Sequence, residues 1–472
     1  MAPMIRMVRV FALVFVMLCL LGGCEATTTP NADPQLWPLG GAEEIEALAA
    51  RDDVNVLFIL VDTLRADRMS AYGYERETTP TLERLGRFGL RFDRHLAQSS
   101  WTKASMASMW TGLYPTRNGV IEFDDIIPDD ALLPAEVFAA NGFRTVGLYR
   151  NGWVAPTFGF GQGFESYSRP SPLPRRRAVT EANPTVSLAG HDGDLIQFAI
   201  EFLRAERDQR FFLYLHLMDV HEYTFDEEAA LFGTSYSDIY DNSIRWTDDA
   251  LATLFDQMIE WGLFRNTLIV LTSDHGEAFR ERGEEGHARS LYRETTEIPL
   301  LVFFPFRLER GSAVVKSRTR NVDIWPTIYD LLGLEVPTPV EPLDGVSLRD
   351  EILAAAQRLP PPHASEEREG FAHLSQHWGR GGSGDRTYAL ARGATRYVRK
   401  VVQGDVVEEL FDGRLDGLEL VDRSAEEPER LAAMRERADA LAVEAPVWGA
   451  PETRELTELE LNQLRALGYK VD

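Results

Sequence analysis

Asp62, Asp274 and His275 are the residue types that could do chemistry together, since two carboxylates and an imidazole can hold a divalent cation. Gly276-Glu277 follows, a tight turn that brings a further carboxylate close. An Asp-His pair alone is also what an ordinary loop offers. Thr102 is the second candidate. It sits at or near the N-cap of a short helix that Ala, Met and spaced Ser predict within 100–112, ending near Gly112 with Pro115 beyond. A helix start presents free N–H groups and positive potential, a cradle for a tetrahedral oxyanion. A hydroxyl there is more often a cap, and it becomes a nucleophile when a metal lowers its pKa and orients it.

These residues need a scaffold that brings them to one place. Four apolar, β-branched-rich runs, 54–61, 144–149, 211–217 and 267–272, predict buried strands. Helical patterns at 80–89, 133–141, 195–205 and 243–260 alternate with them. Such alternation predicts an α/β fold with a mostly parallel sheet covered on both faces. Ligands then bind outside the carboxyl ends of the strands. The polar clusters fall there: Asp62-Thr63, Tyr149-Arg150-Asn151, Asp219 with His221, and Ser273 to Glu277. His216, inside a strand, reads as a core histidine.

Composition narrows the classes. Acidic residues outnumber basic ones 74 to 49, for a formal charge of −25, so nucleic acid is not an expected partner. The chain has 2 cysteines, Cys19 and Cys24, so the rest has no disulfide, thiolate site or cysteine nucleophile. Arg6 and Arg9 precede an apolar run from Val10 to Leu21, then Gly22-Gly23-Cys24. That is a secretory signal over 1–23, too short to span a bilayer comfortably. Leu21-Gly22-Gly23-Cys24 resembles the bacterial lipobox, so Cys24 is the expected lipidation site and 24–53 a lipidated N-terminus and tether. The expectation is an exported protein, lipid-anchored to a bacterial membrane, the outer one, facing periplasm or surface.

Residues 54–355 form the expected catalytic domain and 356–385 a loop or insertion rich in Pro, Gly and charge. Residues 386–472 predict a small C-terminal α+β unit, with short antiparallel strands at 388–390, 395–402 and 406–411 and a helix at 428–443.

Three stretches, 55–67, 99–115 and 267–299, resemble in that order the signature regions of the sulfatase family within the alkaline phosphatase superfamily. Phe158-Gly159-Phe160-Gly161-Gln162-Gly163-Phe164, Asp323 to Pro326, Leu343 to Leu348 and Leu464 to Tyr469 are similar to later landmarks. The resemblance covers nearly everything after residue 53. It implies a large mixed, mostly parallel sheet sandwiched by helices, and one divalent cation, calcium, manganese or zinc. Asp62, Asp274 and His275 fall on the metal-ligand positions, with Thr102 in the nucleophile slot and also at the metal. His221 falls where a histidine protonates the leaving group, and His287 where many sulfatases carry a basic sulfate-binding residue. Asn151, Lys103 and Asp219 are the further substrate-side candidates.

The departures carry information. Sulfatases proper make a formylglycine from Cys or Ser in a Cys/Ser-x-Pro-Ser-Arg pattern, whereas this chain has Thr102-Lys103-Ala104-Ser105-Met106. Threonine's methyl blocks that aldehyde, and Met106 stands in the arginine slot. Thr63 stands where a second acidic ligand often follows the first. The set looks more like threonine-dependent relatives: lipoteichoic acid synthases, phosphoethanolamine transferases and nucleotide phosphodiesterases. The expected activity is a metal-dependent hydrolase of sulfate or phosphate esters working through a Thr102 ester, with phosphoesters favoured. The substrate is an anionic ester of an envelope glycan or lipid. The alternatives are an envelope phospho-group transferase and an inactive lipoprotein that binds anionic glycans.

Overall fold

The computed structural model describes residues 37–170, 190–337, 342–362, 368–375, 386–402 and 404–466. The signal segment and residues 24–36, Cys24 among them, lie outside them, as does the end of the 464–469 landmark. The rest of the expected tether, 37–53, instead packs on the core through Trp37, Ile45 and Leu48. No described helix is long and apolar enough to cross a membrane.

The main sheet has nine strands. They are β1 (Asn55–Val61), β2 (Leu90–Leu96), β3 (Arg144–Tyr149), β4 (Ser166–Ser168), β5 (Phe211–Leu217), β6 (Thr267–Thr272), β7 (Glu297–Ile298), β8 (Leu300–Phe303) and β9 (Ala313–Arg320). Their order is β7-β2-β8-β6-β1-β5-β3-β4, with β9 paired to β2. Strands β6, β1, β5, β3 and β4 run parallel, while β8 is antiparallel to β6 and to β2. The sheet is mixed and mostly parallel, as the sequence predicts.

Every residue of β1, β5 and β6 is buried, which explains their unbroken apolar runs. Alternate residues serve two cores. Val56, Phe58 and Leu60 face one, with Tyr214 and Val270; Leu57, Ile59 and Val61 face the other, with Leu213 and Ile269. The first core is covered by helices α2 (Thr102–Thr111), α3 (Pro134–Ala140) and α6 (Ile324–Leu332). Helices α1 (Pro80–Gly86), α4 (Asp192–Glu206) and α5 (Tyr236–Glu260) cover the second.

A separate four-stranded antiparallel sheet contains β10 (Glu369–Ser375), β11 (Arg386–Arg392), β12 (Thr395–Val402) and β13 (Asp405–Asp412) in that order. Helix α7 (Pro428–Ala442) packs on it through Met434, Ala438 and Leu441. Strand β10 lies inside the stretch that the sequence presents as a loop. Its seven residues pair in full with β11, so burial of Phe371, Ala372 and Leu374 outweighs the Pro and Gly signals around it.

Candidate metal centre and nucleophile

Period-two alternation places the site. Asp62, Asn151, His216 and Asp274 continue the rows of Leu60, Tyr149, Tyr214 and Val270, all on the face that meets α2. In register, His216 pairs with Leu60 and with Tyr149. The strand ends therefore deliver their polar side chains to the start of α2.

Helix α2 is buried on all sides, and Thr102 is its first helical residue rather than its cap. Trp101 precedes it in extended conformation with no side-chain cap. Thr102 Oγ1 lies 3.2 Å from His275 Nε2. Asn151 Nδ2 donates to Thr102 Oγ1 at 3.3 Å and to Asp62 Oδ2 at 2.6 Å. The Asn151 amide is oriented from its other end, because Oδ1 accepts the Trp153 N–H at 2.8 Å.

Asp62, Asp274 and His275 each offer one ligand atom within 4.8 Å of the others, and all three are fully buried. His275 Nε2 is 3.4 Å from Asp274 Oδ2 and 3.9 Å from Asp62 Oδ1. His275 Nδ1 sits 3.0 Å from the Gly276 carbonyl. A carbonyl can only accept, so Nδ1 carries the proton and the Nε2 lone pair faces the carboxylates. Asp62 Oδ1 and Asp274 Oδ2 are buried with no hydrogen-bond partner among the described residues. Two orphaned carboxylate oxygens beside an aimed imidazole lone pair fit a divalent cation. Burial works against charge on Asp62, but His221, His216 and His275 around it hold its carboxyl well below the ordinary carboxylate range.

Thr63 adopts φ 59, strained for a β-branched residue. Its Oγ1 turns back to donate to the Asp62 carbonyl at 2.7 Å, and its N–H donates to Asp274 Oδ1 at 3.2 Å. The position that could have held a second acid therefore supplies a backbone donor.

His221 and His287 reach the same place. Ring centroids run 4.7 Å from His275 to His287 and 4.9 Å from His287 to His221. Glu277 Oε2 accepts from His287 Nδ1 at 3.0 Å, leaving Nε2 free for a substrate. Gly286 and Ala288, on either side of His287, both take positive φ.

Two expected substrate contacts are corrected. Lys103 is fully buried, and Nζ donates to the carbonyls of Phe123 at 2.5 Å and Asp125 at 2.7 Å, with the Phe158 ring 4.3 Å away. Burial pushes its ammonium down to about 7. One position along a helix turns a side chain by about 100°, which separates Lys103 from Thr102. Asp219 is also fully buried. It accepts from Arg150 and from the Asp192 N–H, so it anchors the turn before His221 instead of facing a ligand. Burial and the adjacent Asp192 push its carboxyl up, against Arg150.

His216 is a site residue that the sequence reading leaves in the core. Its Nε2 donates to Asp62 Oδ2 at 3.0 Å, and Tyr214 Oη lies 2.7 Å from Nδ1.

Comparison with known proteins gives the arrangement its relatives. The family model described as Sulfatase matches residues 54–334, well over half of the chain. Bovine (Bos taurus) arylsulfatase A is 27% identical over 360 residues, 66% of this chain and 70% of that protein. Among solved structures, Ps i-CgsB in complex with k-i-k-neocarrahexaose superposes with a TM-score of 0.66 at 17% identity, covering 88% of this chain and 97% of that one. The phosphonate monoester hydrolase of Agrobacterium radiobacter superposes with a TM-score of 0.65 at 19% identity, covering 85% and 100%.

Proposed function

We propose that this chain, which belongs to the sulfatase family of hydrolases, cleaves phosphate or sulfate esters through Thr102, with phosphoesters preferred. The observation that carries this reading is the position of Thr102 Oγ1, 3.2 Å from His275 Nε2 at the edge of the carboxylate pair. Asp62, Asp274, His275 and Thr102 would hold a divalent cation, which when bound supplies positive charge to the ester's non-bridging oxygens and lowers the hydroxyl pKa.

The residues of the chain account for the rest. Asn151 steers Thr102 Oγ1 while holding Asp62. The uncapped start of α2 turns its first N–H groups toward charge that grows on the reacting group. Thr102 Oγ1 gives up its proton to solvent and bonds to phosphorus or sulfur as the bond to the leaving oxygen breaks. His221 or His287 gives that oxygen a proton. Water attacks the Thr102 ester and frees the hydroxyl.

The nucleophile supports the preference for phosphorus. A formylglycine hydrate releases sulfate by collapsing to an aldehyde, and Thr102 has no such route. A phosphothreonine can be opened by a second attack at phosphorus. Ps i-CgsB binds a carrageenan oligosaccharide, which supports an anionic glycan ester as the substrate class. The leader and Cys24 support a lipid-anchored protein at a bacterial membrane.

Substrate screening with intact-mass analysis of quenched reactions tests the proposal. A phosphoryl adduct on Thr102, absent in Thr102→Ala, is the expected result. Turnover of aryl sulfate with no turnover of phosphoesters would reverse the preference.

A further inference from the structure

Each carboxylate of the metal centre has one oxygen already taken by the protein. Asp62 Oδ2 accepts from Asn151 Nδ2 at 2.6 Å and from His216 Nε2 at 3.0 Å. Asp274 Oδ1 accepts from the N–H groups of His275 at 2.9 Å and Thr63 at 3.2 Å. The opposite oxygens, Asp62 Oδ1 and Asp274 Oδ2, are the two with no partner among the described residues. Fixed donors thus leave each carboxylate a single oxygen to offer.

With His275 Nε2 and Thr102 Oγ1 this makes four donors, one of them nitrogen, carrying two formal negative charges. Among the described residues, Asp62, Asp274 and His275 are the only His, Cys, Asp or Glu side chains that converge there, so the protein adds no third carboxylate. Calcium takes about 6–8 oxygen ligands, commonly with bidentate carboxylates, and its affinity grows with the number of ligand charges. Zinc accepts about four mixed nitrogen and oxygen ligands, and an imidazole nitrogen favours it.

From these donors we infer that the site selects a zinc-class transition cation over calcium. The inference rests on the metal-dependent reading above and adds the identity of the cation. Asn151, His216 and Thr63 are its positioning residues: they act on the choice by occupying oxygens that would otherwise let Asp62 and Asp274 bind in bidentate fashion.

The test is binding, independent of turnover. Chelator-stripped full-length protein is titrated separately with zinc and with calcium by calorimetry, with thermal unfolding followed alongside. One zinc ion bound at least a hundredfold more tightly than calcium, with a larger rise in Tm, is expected. Loss of that ion in Asp274→Ala assigns it to the site. His275→Asp, checked for folding by circular dichroism, should bring the two affinities within about tenfold by replacing the nitrogen with a third carboxylate. Calcium binding as tightly as zinc in the unaltered protein overturns the inference and leaves a metal-dependent enzyme. Binding of neither cation overturns both readings.

Discussion

His216 Nε2 donates to Asp62 Oδ2 across 3.0 Å inside the core, where both side chains are fully buried. Tyr214 fixes the ring from the other side, and its hydroxyl donates to Nδ1 at 2.7 Å. Removal of His216 would leave Asn151 as the remaining side-chain donor to Asp62 Oδ2 and loosen the carboxylate. His216→Ala is expected to lower kcat/KM by about 10–100-fold, the usual effect of disturbing a group that orients a metal ligand. Tyr214→Phe is expected to act in the same direction and more weakly. Steady-state kinetics of both variants checks this, and activity equal to the unaltered protein would count against the arrangement.

Arg150 holds three carboxylates. It is paired with Asp219, with Asp192 at 2.7 Å and with Glu222 at 2.6 Å, and Asp192 and Asp219 are fully buried. Arg150→Met strands those charges and should destabilise the fold by about 3–5 kcal/mol. Denaturant unfolding measures the change; a loss below about 1 kcal/mol would mean that solvent already screens the cluster.

Thr63 sits at φ 59, where a side chain costs about 1–2 kcal/mol and glycine costs nothing sterically. Thr63→Gly should therefore be more stable than Thr63→Ala by about 1 kcal/mol, the reverse of the usual order of these residues. Chemical denaturation of the two variants decides, and an alanine variant at least as stable as the glycine one would show that this backbone is relaxed.

His373, in β10, is fully buried, and neither ring nitrogen has a partner among the described residues. Burial pushes its imidazole down from 6.5 to about 3, and Arg386 adds to the shift. Between those values the unfolded chain binds a proton that the folded one does not. Stability therefore falls as pH drops from about 6.5 toward 3. His373→Leu removes one such proton and should lose less Tm between pH 7.5 and pH 5. An unchanged acid slope would place the sensitivity elsewhere, for instance on His95, which burial pushes down to about 4.

The sequence makes the central strands legible because parallel strands buried on both faces are written in unbroken apolar residues, as in β1 and β6. It leaves β2 obscure. Leu90-Arg91-Phe92-Asp93-Arg94-His95-Leu96 mixes charge into a strand in which Asp93 is exposed and Arg91 and Arg94 are half-buried. The donors Asp62, Asp274, His275 and Thr102 are legible from their places at strand ends and a helix start. Direction is harder to read than place. Lys103 and Asp219 adjoin the site in sequence, yet each turns toward other partners. His216 looks like core because its neighbours on β5 are apolar, and only the parallel register with β1 sets it beside Asp62. The extent of helices depends on caps: α5 begins at Tyr236, behind the Ser235–Asp238 capping box, seven residues before its strongest apolar periodicity.

Strand β1 lies between β5 and β6, so its neighbours come from chain segments more than 150 residues downstream. Ring closure on that scale is slow to find and cannot be assembled piecemeal. During refolding, local helices such as α5 should regain their far-ultraviolet signal well before any cation is captured. Competence thus arrives with the last long-range pairing, and a chain truncated before Thr267 would carry a hydroxyl and one carboxylate with nothing to join them.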